Sequence, residues 1–285
     1  MEILSCENVA FKYIESTDYA ISDCTFSVKK GEKIMLCGAS GSGKSTLLRL
    51  LKRELSPRGE LSGNITLMGK DRSELSDRES AEKIGFVMQS PDSQTVCDKV
   101  SAELAFGLES FGVKSGEIQS RVGEMAAFFG IEPLYDRDIS TLSGGQKQLV
   151  ALCSVMATDP DILLLDEPTA QLDPVAAREL LGILDRLNKE MGVTIIIAEH
   201  DPEELFDSCD KILYLAKGKT EFFGTPALTA KYFVENALEG FLPETAKAFA
   251  RLCDDLPLNV RQGRAKLEKL GVTDIPKQAV TDTER

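Results

Sequence analysis

The sequence has no apolar run approaching the roughly 18 residues that a membrane-spanning helix needs. It is also poor in positive charge, with 33 Lys and Arg against 46 Asp and Glu and a net charge of −13. A broad nucleic-acid surface needs clustered Lys and Arg, and anionic lipid attracts basic segments. We therefore expect no nucleic-acid partner, and we expect any membrane role to depend on a protein partner.

Paired cysteine motifs are absent as well. The seven cysteines form no C-x-x-C pair and are odd in number, which indicates reduced thiols rather than disulfides or a metal site. The first residues, MEILSCENVAFKY, lack the layout of a secretory signal peptide. Both features favour a cytosolic location.

Four short apolar runs share one design. Each is almost continuously apolar, as expected for strands buried on both faces of a parallel sheet, and each ends in polar residues. Helical patterns lie between them, so the sequence predicts an α/β, doubly wound core, whose ligands bind at the carboxyl ends of the strands. The runs are 33–38, 83–89, 161–167 and 193–200, and the clearest helical patterns are 43–55 and 173–192.

The segments outside these runs predict smaller parts. Residues 1–37 alternate like antiparallel strands, and about 95–158 look helical, like a subdomain inserted between two core strands. Residues 211–224 are typical of a hairpin that turns at Lys217-Gly218. The tail after 225 is amphipathic and helical, and 270–285 is polar, which predicts a frayed end.

The stretch GASGSGKS (38–45) matches G-x-x-x-x-G-K-[ST] between a strand and a helix, as a phosphate-binding loop requires. Its glycines let the backbone amides approach phosphates, Lys44 would reach the β- and γ-phosphates, and the Ser45 hydroxyl would bind Mg²⁺. The alternative is a flexible Gly/Ser turn. The predicted nucleotide ligands here are Gly38, Ser40, Gly41, Ser42, Gly43, Lys44, Ser45 and Thr46.

Two carboxylates end the third apolar run. Asp166 would hold Mg²⁺, usually through water, and Glu167 would polarise the attacking water, because phosphoryl transfer needs mainly positioning and charge stabilisation. An acidic turn that merely ends a strand is the alternative.

The stretch LSGGQKQ (142–148) predicts a capped helix start. Ser143 and Gln146 fit the S-x-x-Q capping box. Gly144 and Gly145 need another reason, since glycine is a poor helix residue. Bare amides at a helix start attract anions, so the sequence predicts a second phosphate-binding helix start without a second base site.

These motifs resemble, in content and order, those of ABC-type ATPases: GASGSGKST, Gln89, LSGGQ, ILLLDE, TAQLDP and the single histidine, His200. The resemblance covers residues 1–225. It implies a P-loop NTPase (RecA-like) core with an N-terminal antiparallel β subdomain, a helical signature subdomain and a small C-terminal helical domain. The implied cofactors are ATP and Mg²⁺.

The resemblance also implies roles for single residues. Two ATPase chains, identical or related, would pack head to tail, and each site would receive the partner's LSGGQ. Gln89 would contact Mg²⁺ and the lytic water, and His200 would contact the γ-phosphate, which makes Gln89, Glu167 and His200 the catalytic set. The residues expected to act in trans are Ser143, Gly144, Gly145, Gln146 and Asp173, although Asp173-Pro174 is also an ordinary turn.

One aromatic residue and two departures complete this comparison. Tyr13 lies where the family places an aromatic that stacks on adenine, with Phe11 as the alternative. Leu149 stands where the family commonly has Arg, and Gln171 where it has a small residue. Neither departure is expected to touch the phosphates.

Two further stretches resemble the A component of energy-coupling factor importers: QSPDSQ (89–94) and the helical segment 242–260. That resemblance implies a transmembrane coupling subunit, a membrane subunit that binds a vitamin or metal ion, a place on the cytoplasmic face of the membrane, and a C-terminal dimerisation segment at 226–285. The alternatives are the ATPase of another ABC importer, a non-transport ABC ATPase acting on DNA or ribosomes, and a degenerate nucleotide sensor. The sensor would require a lost catalytic residue.

Overall fold

Two sheets and nine helices organise residues 1–200, 203–253 and 255–269, the parts of the chain that the computed structural model describes. The strands are β1 (Glu2–Tyr13), β2 (Ile21–Lys29), β3 (Lys33–Cys37), β4 (Gly59–Leu67), β5 (Lys70–Asp71), β6 (Ile84–Val87), β7 (Ile162–Asp166), β8 (Thr194–Ala198), β9 (Lys211–Ala216) and β10 (Lys219–Gly224). The helices are α1 (Lys44–Leu51), α2 (Asp77–Lys83), α3 (Val100–Ser110), α4 (Ser115–Phe129), α5 (Gly144–Met156), α6 (Pro174–Met191), α7 (Pro226–Glu235), α8 (Glu244–Phe249) and α9 (Val260–Lys269).

The central sheet has the order β10-β9-β3-β8-β7-β6, and all its pairs are parallel except β9 with β10. Every residue of β3, β6, β7 and β8 is buried, because helices or the second sheet cover both faces. These strands are the four predicted apolar runs, and the predicted 211–224 hairpin is β9 and β10. The predicted α/β fold class is confirmed.

The second sheet is antiparallel, with the order β2-β1-β4-β5. It encloses a core with β3 and α1 that includes Phe11, Phe26 and Leu48. The sequence predicted antiparallel strands only up to residue 37, whereas β4 and β5 lie at 59–71. In β4 only Ile65 and Leu67 are buried, so this strand carries too little apolar signal to be read from the sequence.

The predicted helical insertion contains α3, α4 and α5, which join the main core through residues such as Leu104, Val122 and Leu152. Helix α4 ends at Gly130, whose φ of 67° suits a glycine C-cap. Among the described residues, no helix combines the length and hydropathy that crossing a membrane requires.

The tail packs on its own chain. Phe233 of α7 is fully buried, with ring centroids 5.1 Å from Tyr214 and 5.7 Å from Phe241. Leu242 and Ala246 belong to the same core, and Phe249 is also buried. This core therefore covers much of the apolar face of the tail, although Leu252 stays 65% exposed. The predicted frayed end at 270–285 lies outside the described residues.

We expect Phe233→Ala to lower the free energy of unfolding by about 3–5 kcal/mol, because it removes a large buried ring from this core. Leu228→Ala on the same helix is the matched control, since Leu228 is 57% exposed. Denaturant titration of both variants measures the difference. Equal, small losses would show that the tail is not part of the core.

Candidate nucleotide site

The loop between β3 and α1 has a backbone that only glycine allows at two positions. Gly38 has φ of 152° and Gly43 φ of 104°. A Cβ at Gly38 would lie 2.2 Å from the carbonyl oxygen of Leu215, and one at Gly43 would lie 2.6 Å from that of Ala20. The loop therefore folds close against its neighbours and turns into α1, which begins at Lys44.

This loop lines a polar cavity of about 480 Å³ at the carboxyl ends of the central strands. The cavity brings together most of the predicted nucleotide ligands and all three predicted catalytic residues. Its lining is Tyr13, Ala20, Ser40, Gly41, Gly43, Lys44, Ser45, Thr46, Gln89, Glu167 and His200.

Lys44 is 4% exposed, and its ammonium group is held by the loop itself. Nζ donates hydrogen bonds to the carbonyl oxygens of Gly38 at 2.8 Å and Ala39 at 3.3 Å. Burial lowers the pKa of Lys44, while the nearby carboxylates, Glu167 foremost, oppose that shift. A cation fixed at the cavity wall suits an anionic ligand such as a polyphosphate.

Two observations fit Mg²⁺ and phosphate. The Ser45 hydroxyl donates to Asp166 Oδ1 at 2.7 Å, so two of the three predicted metal ligands already touch, and the third, Gln89, lines the same cavity. The Ser42 hydroxyl is buried and is without a hydrogen-bond partner among the described residues, as an atom awaiting an acceptor would be. The described residues contain no group of three His, Cys, Asp or Glu side chains that could hold a metal alone. Mg²⁺ here would therefore depend on phosphate oxygens and water besides Ser45 and Asp166, as is usual at phosphate sites.

Gln89, Glu167 and His200 form one hydrogen-bonded chain. Gln89 Nε2 donates to Glu167 Oε2 at 3.2 Å, and His200 Nε2 lies 2.6 Å from Glu167 Oε1. A carboxylate oxygen only accepts, so Nε2 of His200 carries the proton. Glu167 has a positive φ of 49°, a conformation that non-glycine residues adopt rarely and that concentrates at functional sites.

The two candidates for adenine stacking differ in exposure. Phe11 is 1% exposed and lies within the core, with its ring centroid 5.0 Å from that of Tyr13. Tyr13 lines the cavity, and its hydroxyl is hydrogen-bonded to the Thr46 hydroxyl at 2.9 Å. Of the two, only Tyr13 can face a base.

The LSGGQ stretch lies apart from this cavity and begins α5 with the predicted capping box. The Gln146 amide donates to Ser143 Oγ at 3.3 Å, and the Ser143 amide donates to Gln146 Oε1 at 3.1 Å. Packing within this chain explains the glycine at position 145, because a Cβ there would lie 2.9 Å from the Ala176 Cβ. Gly144 and Ser143 are exposed.

Asp173, the other residue predicted to act on a partner's site, caps α6. Its Oδ1 accepts hydrogen bonds from the amides of Val175 and Ala176 at 2.9 and 3.0 Å. These bonds, Ala176 first, lower the pKa of Asp173. One carboxylate oxygen is thus used within the chain, and the group is exposed.

Two residues near the cavity were missed. Ala20 lines it from the turn between β1 and β2, and nothing in its sequence context signals that place. Glu199 is 4% exposed and accepts hydrogen bonds from Thr169. The available signal was a carboxylate at the end of an otherwise apolar run.

Comparison with known proteins identifies the class. A model of the ABC transporter family matches residues 21–170. A "Putative ABC transporter ATP-binding protein" of Bacillus thuringiensis subsp. konkukian is 39% identical over 280 residues, which is 98% of this chain and 51% of the relative. One of the same description from Pyrococcus abyssi is 39% identical over 228 residues, 79% of this chain and 81% of the relative.

Solved structures agree. CbiO1 from Clostridium perfringens, described as part of the ABC transporter complex CbiONQ, has a TM-score of 0.75 and 32% identity over 93% of this chain and 98% of its own. The dimeric ATP-binding cassette MJ0796, bound to ADP and phosphate, has a TM-score of 0.68 and 27% identity over 79% of this chain and 99% of its own. The chain belongs to the ABC transporter family of ATP-binding proteins. It spans about half the length of the Bacillus relative.

Substitutions in the cavity should separate binding from hydrolysis. Lys44→Ala should lose nucleotide affinity, because it removes the fixed cation. Glu167→Gln and His200→Ala should still bind ATP but hydrolyse it about 10²–10⁴-fold more slowly, since their contacts matter most as charge develops. Equilibrium binding of a fluorescent ATP analogue and phosphate release measure the two effects. Near-normal turnover in Glu167→Gln would move its role elsewhere, and an equal loss of affinity in His200→Ala would make His200 a ground-state ligand.

Proposed function

We propose that this chain is the ATP-binding and ATP-hydrolysing subunit of a membrane importer of the energy-coupling factor type, which takes up vitamins or metal ions. The observation that carries the ATPase part is the hydrogen-bonded chain of Gln89, Glu167 and His200 in the cavity that the phosphate loop lines. A degenerate nucleotide sensor would not need that arrangement.

The residues divide the chemistry among themselves. Lys44 and the loop amides bind the phosphates, and Tyr13 faces the base. Ser45 and Asp166, with Gln89, would hold Mg²⁺, and the ion would neutralise charge on the transferred phosphoryl group. Glu167 orients the attacking water and accepts its hydrogen bond.

Each oxygen of Glu167 already accepts one hydrogen bond, Oε2 from Gln89 and Oε1 from His200, and keeps one lone pair for a water. When a γ-phosphate lies in the cavity, Nε2–H of His200 donates to a phosphate oxygen instead, and both lone pairs of Glu167 Oε1 become available to the water. The exposed position of His200, with 46% of its side chain accessible, leaves room for that rotation.

The site is completed by a second ATPase unit. Ser143 and Gly144 are exposed at a capped helix start, where free amides favour an anion. None of the five residues predicted to act in trans lines this chain's own cavity. Packing two units head to tail would let each signature meet the other's γ-phosphate, and the dimeric form of the MJ0796 cassette supports such pairing.

The second unit can be an identical chain, a related chain or a fused one. The last possibility arises because the Bacillus relative is about twice as long as the matched region.

A groove beside the cavity suits a coupling subunit in the membrane. It has a volume of about 230 Å³ and is lined by apolar groups that include Phe86, Val96 and Phe106. Val96 is 66% and Phe106 42% exposed. The groove and the ATP site are linked, because Gln94 fixes the loop that starts at Gln89 by accepting from the Met88 amide at 2.9 Å and donating to Phe86 O at 3.0 Å.

This placement supports a peripheral position on the cytoplasmic face of the membrane, through the coupling subunit and a substrate-binding membrane subunit. The energy-coupling assignment rests on the QSPDSQ loop and on the likeness to CbiO1 of the CbiONQ complex. The ATPase of another ABC importer is the second candidate, since the groove suits any coupling helix.

Mg²⁺-dependent ATP hydrolysis should rise more than linearly with protein concentration, because each composite site needs two units. We expect the Glu167→Gln protein to associate more tightly with ATP than with ADP. The measurements are phosphate release over a concentration series and analytical ultracentrifugation. Turnover strictly proportional to concentration, with monomers in ATP, would contradict the composite site.

The dimerisation role of 226–285 stays a prediction, and it now depends on the part of the tail that the core does not cover. Leu252→Asp should weaken association without nucleotide while ATP still pairs the Glu167→Gln chains. Leu61→Asp on the antiparallel sheet is the control, because Leu61 is also exposed, at 42%. Sedimentation without nucleotide decides: equal association of both variants would remove the tail as a dimer clamp.

A further inference from the structure

The last residue of β8 and the two residues after it contact the segment that follows β7. The Ala198 carbonyl accepts a hydrogen bond from the Glu167 amide at 3.0 Å. Glu199 Oε1 accepts two, from the Thr169 amide at 3.1 Å and from the Thr169 hydroxyl at 2.7 Å. His200 then contacts the Glu167 carboxylate. Glu199 thus joins the strand that presents His200 to the loop that presents Glu167.

Burying the Glu199 carboxylate at this position costs desolvation free energy. It is 4% exposed at the end of a strand whose five residues are all buried. Burial raises its pKa, and the hydrogen bonds from Thr169 and the His200 backbone only oppose that shift. An apolar side chain would avoid this cost, but it could not hold the Thr169 amide.

The loop from Glu167 to Asp173 needs hydrogen bonds of this kind to keep its conformation. Glu167 has a φ of 49°, and such conformations persist only where the surroundings enforce them. Behind the loop lies a cavity of about 320 Å³, bounded by Thr169, Leu172, Glu199 and Leu205. Side-chain packing therefore supports this side of the loop incompletely, and the two hydrogen bonds from Thr169 to Glu199 lie at the wall of this cavity.

We propose that Glu199 is a positioning residue for hydrolysis: through Thr169 it fixes the loop that carries Glu167, and so sets the place of the Glu167 carboxylate relative to His200. This inference rests on the proposed ATPase function. Glu199 lies outside the nucleotide cavity lining: its side chain accepts its hydrogen bonds from Thr169, and its charge also acts on Lys44 and Glu167.

The test compares four single variants of the full chain in steady-state Mg·ATP hydrolysis. Glu199→Ala and Thr169→Val should lower kcat about 10–100-fold with the KM for ATP changed less than about threefold, because misplacing a reacting group by an ångström costs rate rather than nucleotide contacts. Glu199→Gln and Thr169→Ser are the matched controls. Each retains the acceptor or the hydroxyl and should keep kcat within about threefold of the wild type.

Two further measurements separate positioning from general damage. Thermal unfolding of each variant shows whether it is folded, and ATP binding is compared in the Glu167→Gln background, where it should be unchanged. Combining Glu199→Ala with Thr169→Val should cost little more than Glu199→Ala alone, because Glu199→Ala already removes both hydrogen bonds from Thr169.

Additive losses, a KM that rises in step with the fall in kcat, or a Glu199→Gln protein as slow as Glu199→Ala would each overturn the proposal. So would a folded Glu199→Ala protein with wild-type kcat, which would leave the ATPase function intact. A wild-type chain that binds but does not hydrolyse ATP would instead refute the proposed function, and this inference with it.

Discussion

The parallel pairing of three strands is the constraint on which the site depends. Leu36 of β3 and Asp166 of β7 both pair with Ala198 of β8. Those residues lie at or beside the carboxyl end of each strand, so the phosphate loop, the carboxylates and His200 emerge side by side. The side-by-side arrangement follows from the register of continuously buried apolar strands and not from the preferences of single side chains. A shift of one residue would turn each polar terminus to the opposite face.

This arrangement buries charged groups, which costs free energy, and local hydrogen bonds offset that cost. Lys44 is supported by two carbonyl oxygens, Asp166 by the Ser45 hydroxyl, and Glu199 by Thr169. The Ser42 hydroxyl is buried without such support. The site therefore holds its own charges in place and leaves one buried hydroxyl of the phosphate loop without a partner among the described residues, a group that a bound phosphate could satisfy.

Much of the fold and of the candidate site could be predicted because local sequence patterns determine those parts. Uninterrupted apolar runs predicted β3, β6, β7 and β8, and the capping box at Ser143 appears as expected. The antiparallel strand β4 could not be predicted, since most of its residues are exposed and its pairing with β1 is a long-range contact. The cover over the 242–249 face was missed for a related reason: periodicity shows that a helix has an apolar face but not what it packs on. Glu199 was visible as a residue, but its role needs the distance to Thr169.

The close approach of Gly145 to Ala176 joins two helix starts that are far apart along the chain. Helix α5 carries the signature residues, and α6 begins at Pro174, with Asp173 as its cap, directly after the loop that holds Glu167. The Ala176 methyl occupies the space that a side chain at position 145 would need, so neither helix start can advance without pressing on the other. The helix start that carries the signature residues is therefore in direct contact with the helix that follows this chain's own hydrolytic carboxylate.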